Sequence, residues 1–286
     1  MTLSAANLSA PRLAPSTCRL FIDGPRPGAL NMAIDELLLQ EAIAGGTTTL
    51  RFYQWSEPTL SLGYFQAYAD RALHPSSQDC PVVRRSTGGG AILHDQELTY
   101  SFATPLASAS QLNHSELVNV FHQTVCEVLQ GQAIAARPLC CDEVPTPPAQ
   151  SKSAAEQPFL CFQRRERGDV VTAASAMSNE PGQTSCANPL ASAKIVGSAQ
   201  RRRHGAILQH GSLLLKQSIH APELKGCSEF GGQSLVLQSL IDDWSQRLAE
   251  TLAITLENGV LTAEQQRQAA SLASSKFASS AWLRRR

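Results

Sequence analysis

Aromatic residues are scarce in this chain, and neither sign of charge is in excess. Phe, Trp and Tyr make up 6% of its 286 residues, and 24 Lys and Arg face 24 Asp and Glu. Balanced charge leaves no global basic surface, so a nucleic-acid partner is not expected. No run approaches the ~20 apolar residues of a membrane span. The first residues, MTLSAANLSAPRLAPSTCRL, hold no apolar stretch of signal-peptide length. A membrane partner is therefore not expected, and residues 1–18 read as a disordered leader. The eight cysteines contain no Cys-x-x-Cys pair, so no zinc or redox motif is indicated and no metal site is expected. Their irregular spacing suits reduced thiols in a cytoplasmic protein.

The apolar fraction of 43% is that of a globular protein. A helix is expected from Asn31, as N-cap, to Ile43, with Asp35 and Glu36 near its positive end. Strands are expected at Leu50 to Trp55, Thr59 to Leu62, Pro81 to Arg84, Ala91 to Leu93 and Leu98 to Ala103. A second helix carries Leu117, Phe121, Val125 and Leu129 on one face. Residues 136–158 and 172–193 read as low-complexity insertions. Between and after them, Phe159 to Phe162, Asp169 to Val171, Lys194 to Ser198, Ala206 to Leu208 and Gly211 to Leu215 look extended. Leu237 to Leu252 is strongly amphipathic, and Thr262-x-x-Gln265 is a capping box opening a last helix through Trp282. The order implies an α+β fold with a mixed or antiparallel sheet. The main domain is expected at 19–216 and a helical segment at 217–286.

Residues 84–94, RRSTGGGAILH, place two cations and three glycines before a strand. Glycine lets backbone approach a ligand, and Arg84 and Arg85 offer charge-assisted donors. Such a loop can cradle a carboxylate, a phosphate or a thioester-bearing chain. It can equally be a tight turn with two surface arginines. The phosphate-loop and dinucleotide-loop spacings are absent.

With its neighbours the stretch resembles the lipoate–protein ligase/octanoyltransferase family, relatives of the biotin ligase catalytic domain. The likeness runs through NMAIDELLL, PTLSLGYFQ, RRSTGGGAILHDQELTYSF, KIVGSAQRR and ILQHGSLLL, in order from about residue 30 to 215. It implies a biotin/lipoyl protein ligase-like catalytic domain with mixed, largely antiparallel sheets flanked by helices. It also implies substrate-binding roles for Arg84, Arg85, Gly88, Gly89, Gly90, His94, Gly197, Ser198 and His210. The glycine loop would line the groove that holds the acyl group.

The family contains two chemistries. Octanoyltransferases take octanoate from acyl carrier protein through a cysteine thioester, without a cofactor. Ligases use ATP and Mg to make an acyl-adenylate. Both deliver to a lysine of a lipoyl-domain protein or glycine-cleavage H protein. Cys161, in PFLCF ahead of GDVV and Lys194, resembles the cysteine loop of LipM-type octanoyltransferases. Only the thiolate is a nucleophile, and an adjacent ammonium favours it. Cys161 and Lys194 are therefore the expected catalytic pair, with Gly88 to Gly90 as backbone donors to an oxyanion. Inert buried thiol and surface lysine are the bland alternatives. His94 and His210 suit general bases or structural histidines. Asp169 resembles an aspartate of the ligases. Arg201 to Arg203 are positioned either to steer an acidic carrier or to form a solvated turn. The leading reading is octanoyltransferase; the alternatives are ATP-dependent ligase and a non-catalytic acyl- or carrier-binding relative.

Overall fold

The computed structural model describes residues 17–106, 114–140, 158–173, 192–231 and 235–286. In the first half, β1 (Thr17–Ile22) leads into α1 (Gly28–Gly45), β2 (Thr48–Tyr53), β3 (Thr59–Leu62) and β4 (Val82–Arg84). Then come β5 (Ile92–His94), β6 (Glu97–Pro105), α2 (His114–Gly131) and β7 (Ala136–Pro138). The second half holds β8 (Val170–Ala173), β9 (Ser192–Arg203), β10 (Ala206–Leu214) and α3 (Leu237–Leu252). It ends with β11 (Thr255–Gly259), α4 (Ala263–Leu272) and α5 (Ser280–Leu283).

Eight strands form one sheet in the order β11-β1-β2-β6-β10-β9-β8-β7, and β4-β3-β5 form a second. In the large sheet the β11, β1 and β2 pairings are parallel and the rest antiparallel. The mixed, largely antiparallel α+β expectation therefore holds.

Helices cover both faces of the large sheet. On one, α2 and α3 bury Phe121, Val125, Leu240 and Trp244 against Leu50, Phe52, Tyr100 and Phe102. Trp244 is fully buried, and its indole N–H donates to Thr124 Oγ1 at 3.0 Å, tying α3 to α2. Truncating such a tryptophan costs ~3–5 kcal/mol. On the other face α1 and α4 cover Phe21, Ala103 and Leu208. Strands buried on both sides lose their alternation, as β2 does with all six residues buried.

Several local expectations are corrected. The first helix starts at Gly28, with Pro27 at its cap position. Asn31 lies inside it, fully buried, donating to the carbonyls of Arg26 and Gln54 and accepting from Arg51. Two bonds to backbone carbonyls and one from the Arg51 side chain outweigh the capping preference of its side chain. Thr17 and Cys18, assigned to the leader, are in β1; the rest of that segment lies outside the described residues. Ala136–Pro138, assigned to an insertion, pairs with β8 as an edge strand. Thr172 and Ala173 pair with Ala193 and Ser192, so the second insertion joins two hairpin strands; 141–157 and 174–191 lie outside the described residues. Phe159 to Phe162 is one bridge followed by a 3-10 turn at Cys161–Gln163. Arg201 to Arg203 belong to the arm of a hairpin, not a turn: β9 runs through Arg203, and His204 and Gly205 turn it with positive φ.

The C-terminal segment also contains a strand. TLENG pairs parallel to β1, from Thr17↔Thr255 to Phe21↔Gly259. The expected single last helix is broken: α4 ends at Leu272, a π-helical turn follows at Ala273–Phe277, and Ser279 caps α5.

Candidate functional site

The two sheets meet at a cleft of about 700 Å³, solvent at its mouth included. Cys161, Lys194, Asp169 and the glycine loop line it together. Cys161 is placed by the strand edge beside the loop. Ala91 N–H donates to Phe159 O at 3.0 Å and Cys161 N–H donates to Ala91 O at 2.7 Å. Lys194 and Ser198 come from β9, and His210 from β10.

Lys194 is buried, with Nζ 2.8 Å from Asp169 Oδ2 and 3.4 Å from the Cys161 carbonyl oxygen. Burial raises the Asp169 carboxyl above its usual range, and the Lys194 charge opposes that without cancelling it. Gly197 makes room for the lysine: a Cβ there would lie 2.8 Å from Lys194 Cε.

Arg85 is buried beneath the glycines. Its guanidinium donates to Ser61 O at 3.0 Å, Gly88 O at 2.7 Å and Gly90 O at 2.6 Å. Burial lowers its pKa to about 10. The fork thus holds the loop in shape on the wall that also carries Cys161. Gly89 adopts φ +92°, a conformation open to glycine. Arg84 does not line the cleft. It spans the carbonyls of Gly63 and Gln66 on one side and Leu283 on the other, bracing β4 against α5. The substrate-donor expectation for Arg84 is therefore corrected: its donors already serve buried backbone oxygens.

His94 and His210 line the cleft, each held from behind. His94 Nδ1 lies 2.6 Å from Glu97 Oε1, and its ring stacks on Trp55 at 3.9 Å. His210 Nε2 lies 2.6 Å from Thr87 Oγ1 at the start of the loop, and Nδ1 lies 3.5 Å from Asp35 Oδ2. Burial lowers the His210 pKa against the pull of Asp35. Burial would raise Asp35, but the His210 hydrogen bond and the Arg51 charge outweigh it and leave the carboxyl low.

Two features were missed from sequence. Asp35 also binds Arg51 at 2.9 Å, Tyr53 at 2.8 Å and Ser101 at 2.8 Å, anchoring His210 to the middle of α1. The only signal was an acidic residue on an otherwise apolar helix face. His122, on α2, reaches Ser198 Oγ at 2.6 Å. Nothing local marks it, since it lies 76 positions from its partner. Among the described residues no group of three or more His, Cys, Asp or Glu is arranged to hold a metal, and no helix is long and apolar enough to cross a membrane.

The octanoyltransferase LipM of Carboxydothermus hydrogenoformans is 33% identical over 196 residues, 67% of this chain and 62% of its own length. The chain thus spans less than two thirds of that relative. The octanoyltransferase LipM of Kyrpidia tusciae is 30% identical over 296 residues, 93% of this chain and 98% of its own length. The bi-partite lipoate protein ligase of Thermoplasma acidophilum has the same fold, with TM-score 0.66 at 18% identity over 94% of this chain and 95% of that one. Residues 27–228 match the lipoyl protein ligase A/B catalytic domain, and the chain belongs to that family.

Proposed function

We propose that the protein is an octanoyltransferase. It moves an octanoyl group from acyl carrier protein, through a thioester on Cys161, to the target lysine of a lipoyl-domain or glycine-cleavage H protein in the cytoplasm. The observation that carries this reading is the convergence of Cys161, Lys194 and the Arg85-braced glycine loop on one cleft. Relatives named octanoyltransferase LipM support it.

The Cys161 thiolate attacks the thioester carbon of the donor. The donor sulfur leaves with the electron pair of the broken C–S bond and takes up a proton. Lys194 supplies a positive charge 3.4 Å from the Cys161 carbonyl oxygen, with Asp169 holding its Nζ in place. The acyl-enzyme then gives its acyl group to the acceptor amine. This route needs no cofactor, whereas the ligase route needs ATP and Mg.

Incubation with octanoyl-carrier protein without ATP, followed by intact mass, tests the reading. The expected result is a hydroxylamine-labile octanoyl adduct that is absent in Cys161→Ser. Lipoyl transfer seen only with ATP and lipoate would make the protein a ligase. No reaction in either assay would favour a non-catalytic acyl- or carrier-binding relative.

A further inference from the structure

One end of the glycine loop carries a ledge of cations and aromatic rings that the transfer chemistry leaves unused. Arg201 Nη1 donates to Ser86 O at 3.2 Å, and Tyr64 N–H donates to Thr87 O at 2.8 Å. A Cβ at Gly88 would lie 3.7 Å from the Phe65 ring, yet Phe65 is 68% exposed. The guanidinium carbons of Arg201 and Arg285 lie 5.8 Å and 4.0 Å from the centre of the Tyr64 ring, and that of Arg286 lies 5.5 Å from the Phe65 ring. The ledge is braced from below. Arg84 donates to Leu283 O, and the Trp282 indole N–H donates back to Arg84 O at 2.9 Å. Trp282 in turn packs 5.8 Å from the Tyr64 ring.

The charge on this ledge is not balanced. Lys276, Arg203 and Arg201 share one carboxylate, Glu36, at 3.0, 3.3 and 3.8 Å. Arg284, Arg285 and Arg286 are exposed, and among the described residues none of them has an ion-pair partner. Their charge is felt beneath them: burial is the larger cause of the lowered Arg84 pKa, and the Arg285 and Arg286 charges add to it, with Asp70 opposing. Cations gathered against their own repulsion, with aromatic faces between them, suit an anionic surface that supplies the missing charge.

We infer that the ledge of Tyr64, Phe65, Arg201, Arg285 and Arg286 is the docking surface for the acidic donor carrier, whose acylated arm then follows the glycine loop to Cys161. This rests on the transfer reading above. Two macromolecules visit the cleft in that reaction, and reach separates them. An acceptor lysine is a short side chain, so its domain must come down to the sulfur. The donor's acyl group rides on a flexible prosthetic arm several times longer, so its carrier docks at a distance. The ledge meets the loop at residues 86–88, whereas Cys161 is bonded at Ala91, beyond the three glycines. Charge complementarity of this kind acts on encounter, so its mark is a salt-dependent rate with the carrier and unchanged chemistry at the sulfur.

The test is the double variant Arg285→Glu/Arg286→Glu, at two exposed positions outside the cleft lining. Acylation of Cys161 is followed by intact mass with octanoyl-carrier protein and with octanoyl-N-acetylcysteamine, which has the thioester but no protein. With the carrier at low ionic strength the second-order rate constant should fall roughly tenfold or more. The loss should shrink at about 1 M salt, where screening reaches ~3 Å. With the small thioester the rate should stay within about twofold, as should transfer from preloaded octanoyl-Cys161 enzyme to a lipoyl domain. Arg285→Lys/Arg286→Lys, which keeps the charge, should accept from the carrier nearly as the wild type does. Full carrier activity in the Glu variant, or equal loss with both donors, overturns the inference. A loss confined to the lipoyl-domain step assigns the ledge to the acceptor and overturns it too. Binding is read without chemistry by fluorescence anisotropy of labelled carrier protein, and should weaken in the Glu variant; unchanged binding defeats the surface. Wild-type protein acylated by neither donor defeats the transfer reading itself, a result distinct from any change in carrier binding.

Discussion

Lys194 and Asp169 form a 2.8 Å ion pair nearly sealed from solvent, with 3% and 9% of their side chains exposed. Removing one member of such a pair leaves the other buried and uncompensated, at ~3–5 kcal/mol. Lys194→Met should therefore destabilise the protein by about that amount at pH 7. It should also slow acyl transfer by ~10²–10³, the scale of one lost electrostatic contact in an active site. Asp169 is already raised by burial and would escape its penalty by protonating. Denaturant unfolding should show a smaller penalty at pH 5 than at pH 7. Equal penalties would contradict the arrangement.

Acid should weaken the fold through His122. An unfolded histidine takes its proton near 6.5, but this one takes it only near about 4. Between those values the unfolded chain holds more protons, so stability falls as pH drops, by about 3 kcal/mol in all. His210, also lowered by burial, acts in the same direction. Unfolding measured from pH 7 to 4 should show the loss, and His122→Asn should flatten its slope. An unchanged slope in the variant would remove His122 as the cause.

Gly197→Ala should impair chemistry more than folding. The new methyl would meet Lys194 Cε at 2.8 Å, and the flexible lysine is the part that yields. Displacing Nζ should cost at least tenfold in acyl-enzyme formation, with thermal stability changed by about 1 kcal/mol or less. A large drop in unfolding temperature with normal acylation would point to the backbone instead.

Arg85→Lys keeps the charge and loses the fork. One ammonium cannot reproduce the geometry that serves Ser61, Gly88 and Gly90. Each buried carbonyl left unpaired costs ~1–3 kcal/mol, so thermal unfolding should fall by several degrees. Cys161 acylation should fall with it. A variant as stable and as active as the wild type would show that the loop holds its shape unaided.

Much of this was legible in the sequence because local pattern and local structure coincide there. The Leu237–Leu252 helix and the Thr262 cap appear as read, and the strands flanking the glycine loop appear within a residue of the expected bounds, at Val82–Arg84 and Ile92–His94. Cys161 and Lys194 share a cleft, as the motif order implied. What stayed hidden depends on partners distant in the chain. TLENG has no alternation because it is an edge strand with no face fully buried. Arg84 and Arg85 look alike in sequence, yet one braces α5 and the other the glycines, because consecutive residues leave their strand in opposite directions. Asn31 carries a capping side chain, but the carbonyls that claim it lie in the chain before α1 and after β2.

The bridge between Ala91 and Leu160 also bears on how this enzyme family can diversify. Cys161 takes its position from the edge of the glycine loop, through the backbone bonds at Ala91, rather than from the chain that leads up to it. A change in the length or composition of residues 141–157 should therefore leave Cys161 in register with the loop. The edge of the glycine loop and the Cys161 turn, far apart in the chain, thus act as one mechanical part.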